Sequence, residues 1–160
     1  MSHSPQKDLS LYRPNVGIML LNKEGKVFVA QRIDTPGSAW QMPQGGIDDG
    51  EDYQIAALRE LEEETSIAHV EILKESDSWY FYDLPPELQG KIWGGNYLGQ
   101  RQKWFLMRYL GEDSDIDLET SHPEFSSWKW VDPSVLADLA VPFKVGIYQT
   151  LVKDFLSPAP

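Results

Sequence analysis

Gly45-Gly46-Ile47-Asp48-Asp49-Gly50-Glu51, followed seven residues later by Arg59-Glu60-Leu61-Glu62-Glu63-Glu64-Thr65-Ser66-Ile67, is the stretch from which the fold of this chain is read. Asp52 to Thr65 is rich in good helix formers, with Ala56, Ala57, Leu58, Leu61 and several Glu. At about 100° per residue, Ile55, Leu58 and Leu61 share one stripe and predict the buried side. Glu60, Glu63 and Glu64, at i, i+3 and i+4, fall together on the side away from Leu58 and Leu61, near Ala56 and Ala57. Three carboxylates so close repel one another unless a cation sits among them. Hard oxygen donors in such a cluster suit magnesium or manganese. A solvated acidic face is the plain alternative for a lone Glu-rich helix. The residues before the helix count against it. Gly45-Gly46 lets the backbone approach a bound ion or substrate and turn a carbonyl to it. A pairing of Glu51 with Arg59 would tie the loop to the helix and hold Glu60 in place.

Working outward, Val16–Leu21 and Lys26–Arg32 flank Asn22-Lys23-Glu24-Gly25 and read as a buried hairpin or neighbouring strands. Trp40 to Gly46 is too rich in Gly and Pro for a regular element. Short strands are expected at Val70–Leu73 and Trp79–Tyr82, a long loop from Pro85 to Gly99, and strong strands at Gln102–Leu110 and Ser126–Val131. Glu112–Glu119 is an acidic loop. Asp132-Pro133 reads as N-cap and first position of a short helix through about Ala140. Lys144–Leu156 closes the chain as a helix with Val145, Tyr148, Val152 and Phe155 spaced by threes and fours. This order gives an α/β fold, a mixed β-sheet packed between helices.

The chain has 160 residues, the size of one domain spanning 1–160, with about 1–10 as a flexible lead. Apolar residues at 41% and charged residues at 24% are ordinary for a globular chain. The net charge of −11, from 25 acidic and 14 basic residues, excludes a generally basic surface for holding nucleic acid by bulk attraction, and DNA is not an expected partner. With no cysteine, disulfides, thiolate zinc sites, iron–sulfur clusters and a cysteine nucleophile are excluded. Met1 to Leu11 is polar, and no apolar run approaches the roughly 20 residues a bilayer needs, so the expectation is a cytoplasmic protein with no membrane contact.

The spacing of Gly45, Glu51 and Arg59-Glu60-Leu61-Glu62-Glu63-Glu64-Thr65-Ser66-Ile67 resembles the signature of the Nudix hydrolases at every fixed position but one. The family's last Gly is Ser66 here, where a left-handed backbone is convenient. The likeness continues through Tyr12-Arg13-Pro14-Asn15-Val16-Gly17, Trp40-Gln41-Met42-Pro43-Gln44-Gly45-Gly46-Ile47, Gly99-Gln100-Arg101-Gln102-Lys103-Trp104-Phe105 and Pro123-Glu124-Phe125. There the chain looks like the bacterial RNA pyrophosphohydrolases and the plant-type asymmetrical diadenosine tetraphosphate hydrolases. Trp79-Tyr80-Phe81-Tyr82-Asp83-Leu84-Pro85-Pro86 leans toward the latter.

The resemblance implies an α/β/α sandwich around a mixed sheet and a metal-dependent hydrolysis of phosphoanhydride bonds. The substrate would be an RNA 5′-triphosphate end, a dinucleoside polyphosphate such as diadenosine tetraphosphate, or both. Gly45, Glu60, Glu63, Glu64 and Glu124 would hold the divalent ion, Mg²⁺ or Mn²⁺. Either Glu64 or Glu124 would take the proton from the attacking water. Arg13 and Lys103 would lie near the polyphosphate and Tyr82 would hydrogen-bond to it. Arg32 and Phe143 would sandwich a base, with Lys144 nearby. Two other readings are a nucleotide-sanitising enzyme of the same family and a non-catalytic Nudix nucleotide-binding module. Retention of Glu51, Arg59, Glu60, Glu63 and Glu64 counts against the module.

Overall fold

Strand β1 (Tyr12–Leu21) is the axis of the molecule. It runs parallel to β6 (Gly99–Tyr109) over ten paired positions, from Tyr12 opposite Gly99 to Leu21 opposite Arg108. Nearly continuous apolar residues are what a strand covered on both faces requires. After a tight turn at Asn22–Gly25, β2 (Val27–Arg32) returns antiparallel to β1, as the two apolar runs predicted. Strands β4 (Val70–Glu75), β5 (Tyr80–Asp83) and β7 (Phe125–Val131) complete the mixed sheet. Its order is β4-β6-β1-β2-β7, with β5 also pairing β6. The computed structural model describes residues 8–34 and 39–156, without the side chains of Trp93 and Phe143. Seven of the ten residues expected as a flexible lead lie outside the described residues. Asp8 caps a short 3-10 turn over Leu9–Leu11.

Three differences from the sequence reading bear on the site. Gln44–Gly46, expected to be irregular, forms strand β3, antiparallel to β1 with Val16 opposite Gly45. Glycine and proline mark turns locally, but here the part of β1 that β2 does not pair supplies hydrogen-bond partners that composition does not reveal. The second difference lies in helix α1 (Tyr53–Thr65). Its buried side is Ala56, Ala57, Leu61, Glu64 and Thr65, whereas Ile55 and Leu58 are exposed, Ile55 at 59%. The helix lies close against the sheet on small side chains, so the alanines decide its orientation rather than the larger Ile55. Third, helix α3 (Val145–Leu156) buries Ile147, Tyr148, Leu151 and Phe155. Its inward stripe is thus rotated from the expected one, with Lys144 left in the preceding 3-10 turn.

Period-two alternation sends the strands' side chains to two cores. Val16, Ile18, Phe28, Phe105 and Met107 pack with α1 on one face. Met19, Val29, Trp104 and Leu106 pack with the short helix α2 (Leu136–Leu139) and with α3 on the other. The mixed sheet between helices expected from element order, and the sandwich the resemblance implied, are therefore present. No helix among the described residues is long and apolar enough to cross a membrane.

Gly17 shows how tightly the second core is packed. It sits opposite Trp104, and a Cβ there would lie 2.5 Å from the indole ring. Gly17→Ala is expected to cost about 1–3 kcal/mol, because a fully buried Trp104 has nowhere to retreat. A lower urea midpoint at unchanged slope is the check.

Candidate active site

Helix α1 starts where Asp52 accepts hydrogen bonds from the Gln54 and Ile55 amides at 3.0 and 3.2 Å. It ends at Ser66, whose φ of +66° makes it the one non-glycine residue with positive φ among the described residues. The left-handed turn expected at this departure from the family signature is thus formed by serine. Its backbone costs of the order of 1 kcal/mol. The Ser66 hydroxyl donates to the Asp117 carbonyl at 2.8 Å, which offsets part of that cost.

Arg59 ties the preceding loop to this helix. Nε and Nη2 donate to the two Glu51 oxygens at 2.8 and 2.9 Å, and Nη2 also donates to the Gly46 carbonyl at 3.0 Å. Glu51 further accepts from the Asp48 amide at 3.0 Å. The guanidinium bonds, then the amide, hold the Glu51 carboxyl down at about 2. Nη1 of Arg59 reaches Glu60 at 2.9 Å and Glu63 at 3.1 Å. The pairing anticipated from spacing is therefore a five-bond clamp, and it orients Glu60.

Glu60 lies against β3. A Cβ on Gly45 would fall 2.0 Å from Glu60 Oε2, so glycine is required for the strand and the carboxylate to be this close. Glu64 is 4% exposed, and its Oε2 is enclosed without a hydrogen-bond partner. Burial first, then the charges of Glu124 and Glu60, push the Glu64 carboxyl up to about 10. Burial likewise raises Glu60. A buried carboxyl with an orphaned oxygen beside two more carboxylates is a site deficient in positive charge.

Glu60, Glu64, Glu124 and Gly45 line one cavity of about 710 Å³. Glu63, grouped with them in the sequence reading, does not. It is 59% exposed on its side chain and is drawn to Arg59. Among the described residues, no three acidic or histidine side chains are grouped closely enough to hold a metal ion by themselves.

Arg13, Arg32, Tyr82 and Lys144 line the same cavity. Arg32 is held by Asp34 through bonds of 2.8 and 2.9 Å and lies 4.0 Å from Glu124. A shift in pairing register between Gln31 and Arg32 turns the strand here. The Lys144 ammonium is buried and donates to Gln44 at 3.1 Å. Its burial, then the nearby Arg32, lower it to about 8. The Tyr82 hydroxyl is raised to about 12, chiefly by burial. The Phe143 side chain lies outside the described residues.

Lys103 is the correction among the cationic residues. It does not line the cavity; its ammonium sits 5.4 Å from the centre of the Trp79 ring, which Arg101 also faces at 4.3 Å. Strand alternation sends Arg101 and Lys103 to one face of β6 and Gln100, Gln102 and Trp104 to the other. Asn15, Gln44 and Gln100 also line the cavity, and residue type and spacing alone assign them no role. Their signal is visible in retrospect as amide side chains inside strands.

The chain matches the NUDIX domain over residues 11–151. It is 58% identical over 146 residues to the RNA pyrophosphohydrolase of Sphingopyxis alaskensis, covering 90% of this chain and 92% of that protein. To the RNA pyrophosphohydrolase of Rhodospirillum rubrum it is 52% identical over 164 residues, covering 98% and 99%. A solved structure of a C. elegans Ap4A hydrolase binary complex superposes with a TM-score of 0.63 at 22% identity, over 89% of this chain and 97% of that one, a likeness of fold. Nudix hydrolases generally need divalent cations. With the arginine-clamped carboxylates on α1 and this match over most of its length, the chain belongs to the Nudix family.

Proposed function

We propose that this protein is a cytoplasmic RNA pyrophosphohydrolase that uses Mg²⁺, with Mn²⁺ able to substitute, and that hydrolyses a phosphoanhydride bond of an RNA 5′-triphosphate end. The identity above 50% with RNA pyrophosphohydrolases across most of the chain carries this reading. The site supports it. Glu60, Glu64, Glu124 and Gly45 line one cavity and would offer an all-oxygen donor set, and the orphaned Glu64 oxygen fits a hard divalent cation. Such an ion supplies positive charge that offsets the phosphates and acidifies a water. Glu64 or Glu124 would accept the proton of the attacking water, whose oxygen bonds to phosphorus as the anhydride bond breaks and the departing phosphate oxygen keeps the bonding pair. Arg13 and Lys144 neutralise the polyphosphate, and Tyr82 gives it a hydroxyl contact. Arg32 holds the base with Phe143. The Glu51–Arg59 clamp positions Glu60. Glu63, on the outer side of the clamp, joins the ion only by leaving Arg59.

A dinucleoside polyphosphate presents the same base, ribose and phosphate chain, so the two substrates compete for one pocket. Catalytic efficiency on triphosphorylated RNA and on diadenosine tetraphosphate, measured side by side with and without a chelator, tests the proposal. Turnover of the RNA end that vanishes with chelator supports it. Nucleotide binding without turnover in Mg²⁺ would instead identify a binding module.

Cation binding carries a pH signature. At pH 7 the metal-free Glu64 is protonated, since its carboxyl is raised to about 10. A divalent ion needs the carboxylate, so binding expels a proton and tightens as pH rises, by up to about tenfold per unit. Titration calorimetry in two buffers of different ionisation heat should show proton release at pH 7. Identical heats in both would remove Glu64 from the ligand set.

A further inference from the structure

The cavity wall beside Arg13 is made of carboxamides, and their orientation follows from two groups that can only donate. The Trp104 indole N–H lies 3.1 Å from Gln102, so the oxygen of Gln102 must face it. The Gln102 nitrogen therefore points the other way, 2.9 Å from Asn15 and 3.2 Å from Gln44, and both must present oxygen to it. The Lys144 ammonium, also only a donor, meets the same Gln44 oxygen at 3.1 Å. The N–H end of Gln44 is then turned to the Tyr82 hydroxyl. That hydroxyl donates its own hydrogen bond to the Gln100 oxygen. Asn15 and Gln100 are thus left with their nitrogens outward. Both side chains are almost wholly buried, at 1% and 3% exposure, and both line the cavity. Neither nitrogen donates to any described residue.

We propose that Trp104 and Gln102, which do not line the cavity, are positioning residues that polarise this chain of amides, so that Asn15 and Gln100 offer only N–H donors to the non-bridging oxygens of a substrate's polyphosphate. Free amides flip at little cost, and a flipped wall would present oxygen to an anion. The buried relay removes that alternative before substrate arrives, which is preorganisation of a donor surface. The proposal rests on reading the cavity as a polyphosphate pocket. It adds that the specificity for an anion originates a layer behind the wall.

Gln102→Glu is the direct test. A carboxylate at 102 accepts from Trp104 but cannot donate, so Asn15 and Gln44 turn their nitrogens to it and their oxygens outward. KM for triphosphorylated RNA should rise about a hundredfold with kcat within severalfold of wild type. Binding of inorganic triphosphate, followed calorimetrically without turnover, should weaken by a similar factor. Gln102→Met removes the relay without reversing it and should raise KM about tenfold, a smaller effect than Glu at equal or greater loss of stability. In the wild type, the side-chain amide protons of Asn15 and Gln100 should move downfield in NMR spectra when inorganic triphosphate is added. That last readout needs no variant and survives a failure of Gln102→Glu to fold. Unshifted amides at saturating triphosphate, or a Gln102→Glu protein that binds triphosphate as wild type does, would overturn the relay while leaving the hydrolase reading intact. A wild type that binds triphosphate with shifted amides yet cleaves no RNA end would do the reverse.

Discussion

Glu64→Gln leaves the protein folded and lowers turnover on triphosphorylated RNA about a thousandfold, in the range expected for losing a positioned acid–base or ion-holding carboxylate. The argument that it stays folded comes from the charge state. Burial and the neighbouring Glu124 and Glu60 keep the Glu64 carboxyl neutral at pH 7 in the metal-free protein. Glutamine has the same shape and the same absence of charge. The sign of the pH effect follows from the raised pKa. The wild-type fold binds a proton that the unfolded chain gives up near the ordinary carboxylate value of 4.5, so the wild type loses stability as pH rises from there toward about 10. The variant lacks that slope. Without metal, its urea midpoint should match the wild type near pH 5 and exceed it at pH 8. Near-full activity in the variant would refute the placement of the reaction at α1, whatever its stability.

Gly45→Ala is expected to lower kcat/KM at least about a hundredfold, because a displacement of an ångström at a reacting centre is enough for that. The new methyl would lie 2.0 Å from Glu60 Oε2 and 2.1 Å from its carboxyl carbon. Neither side yields easily. Gly45 is paired with Val16 on β1, and Glu60 is held at 2.9 Å by an Arg59 that Glu51 already fixes. The neighbouring Gly46→Ala is the control. Its methyl meets only the tip of Arg13, at 3.2 Å, which need give by no more than a few tenths of an ångström. Its kcat/KM should stay within about tenfold of wild type, at a cost under ~1.4 kcal/mol. Equal activities for the two variants would show that Glu60 has no fixed place at β3.

The contrast between these adjacent glycines shows where sequence reading stops. Spacing alone brought Glu51 to Arg59 and grouped Glu60 with Glu64, because a helix repeats and a capped loop has limited reach. The same periodicity misassigned the buried side of α1. Ile55 is larger and more apolar than Ala56, but burial on this helix is decided by how near the sheet approaches, and no window of local sequence records that distance. Lys103 shows the same limit within a strand. Alternation could have separated it from Gln100 and Gln102, but which face meets the cavity depends on where α1 and α3 pack. Glu63 was placed with its neighbours by the helix repeat and drawn out of the cavity by an arginine one turn earlier.

From the sequence by itself came the family signature, the mixed sheet between helices, the helix beginning near Asp52, the left-handed stop at Ser66 and the grouping of the carboxylates on one helix. These follow from short-range geometry, in which backbone conformation and residue spacing act within a turn or two. The tertiary structure alone decided that Glu64 is enclosed and neutral, that Gly45 touches Glu60, and that Trp104 dictates the direction of the amides around Asn15. Each of those depends on desolvation or on contact between segments far apart in the chain, and both arise only once the sheet has brought β1, β3, β6 and α1 together.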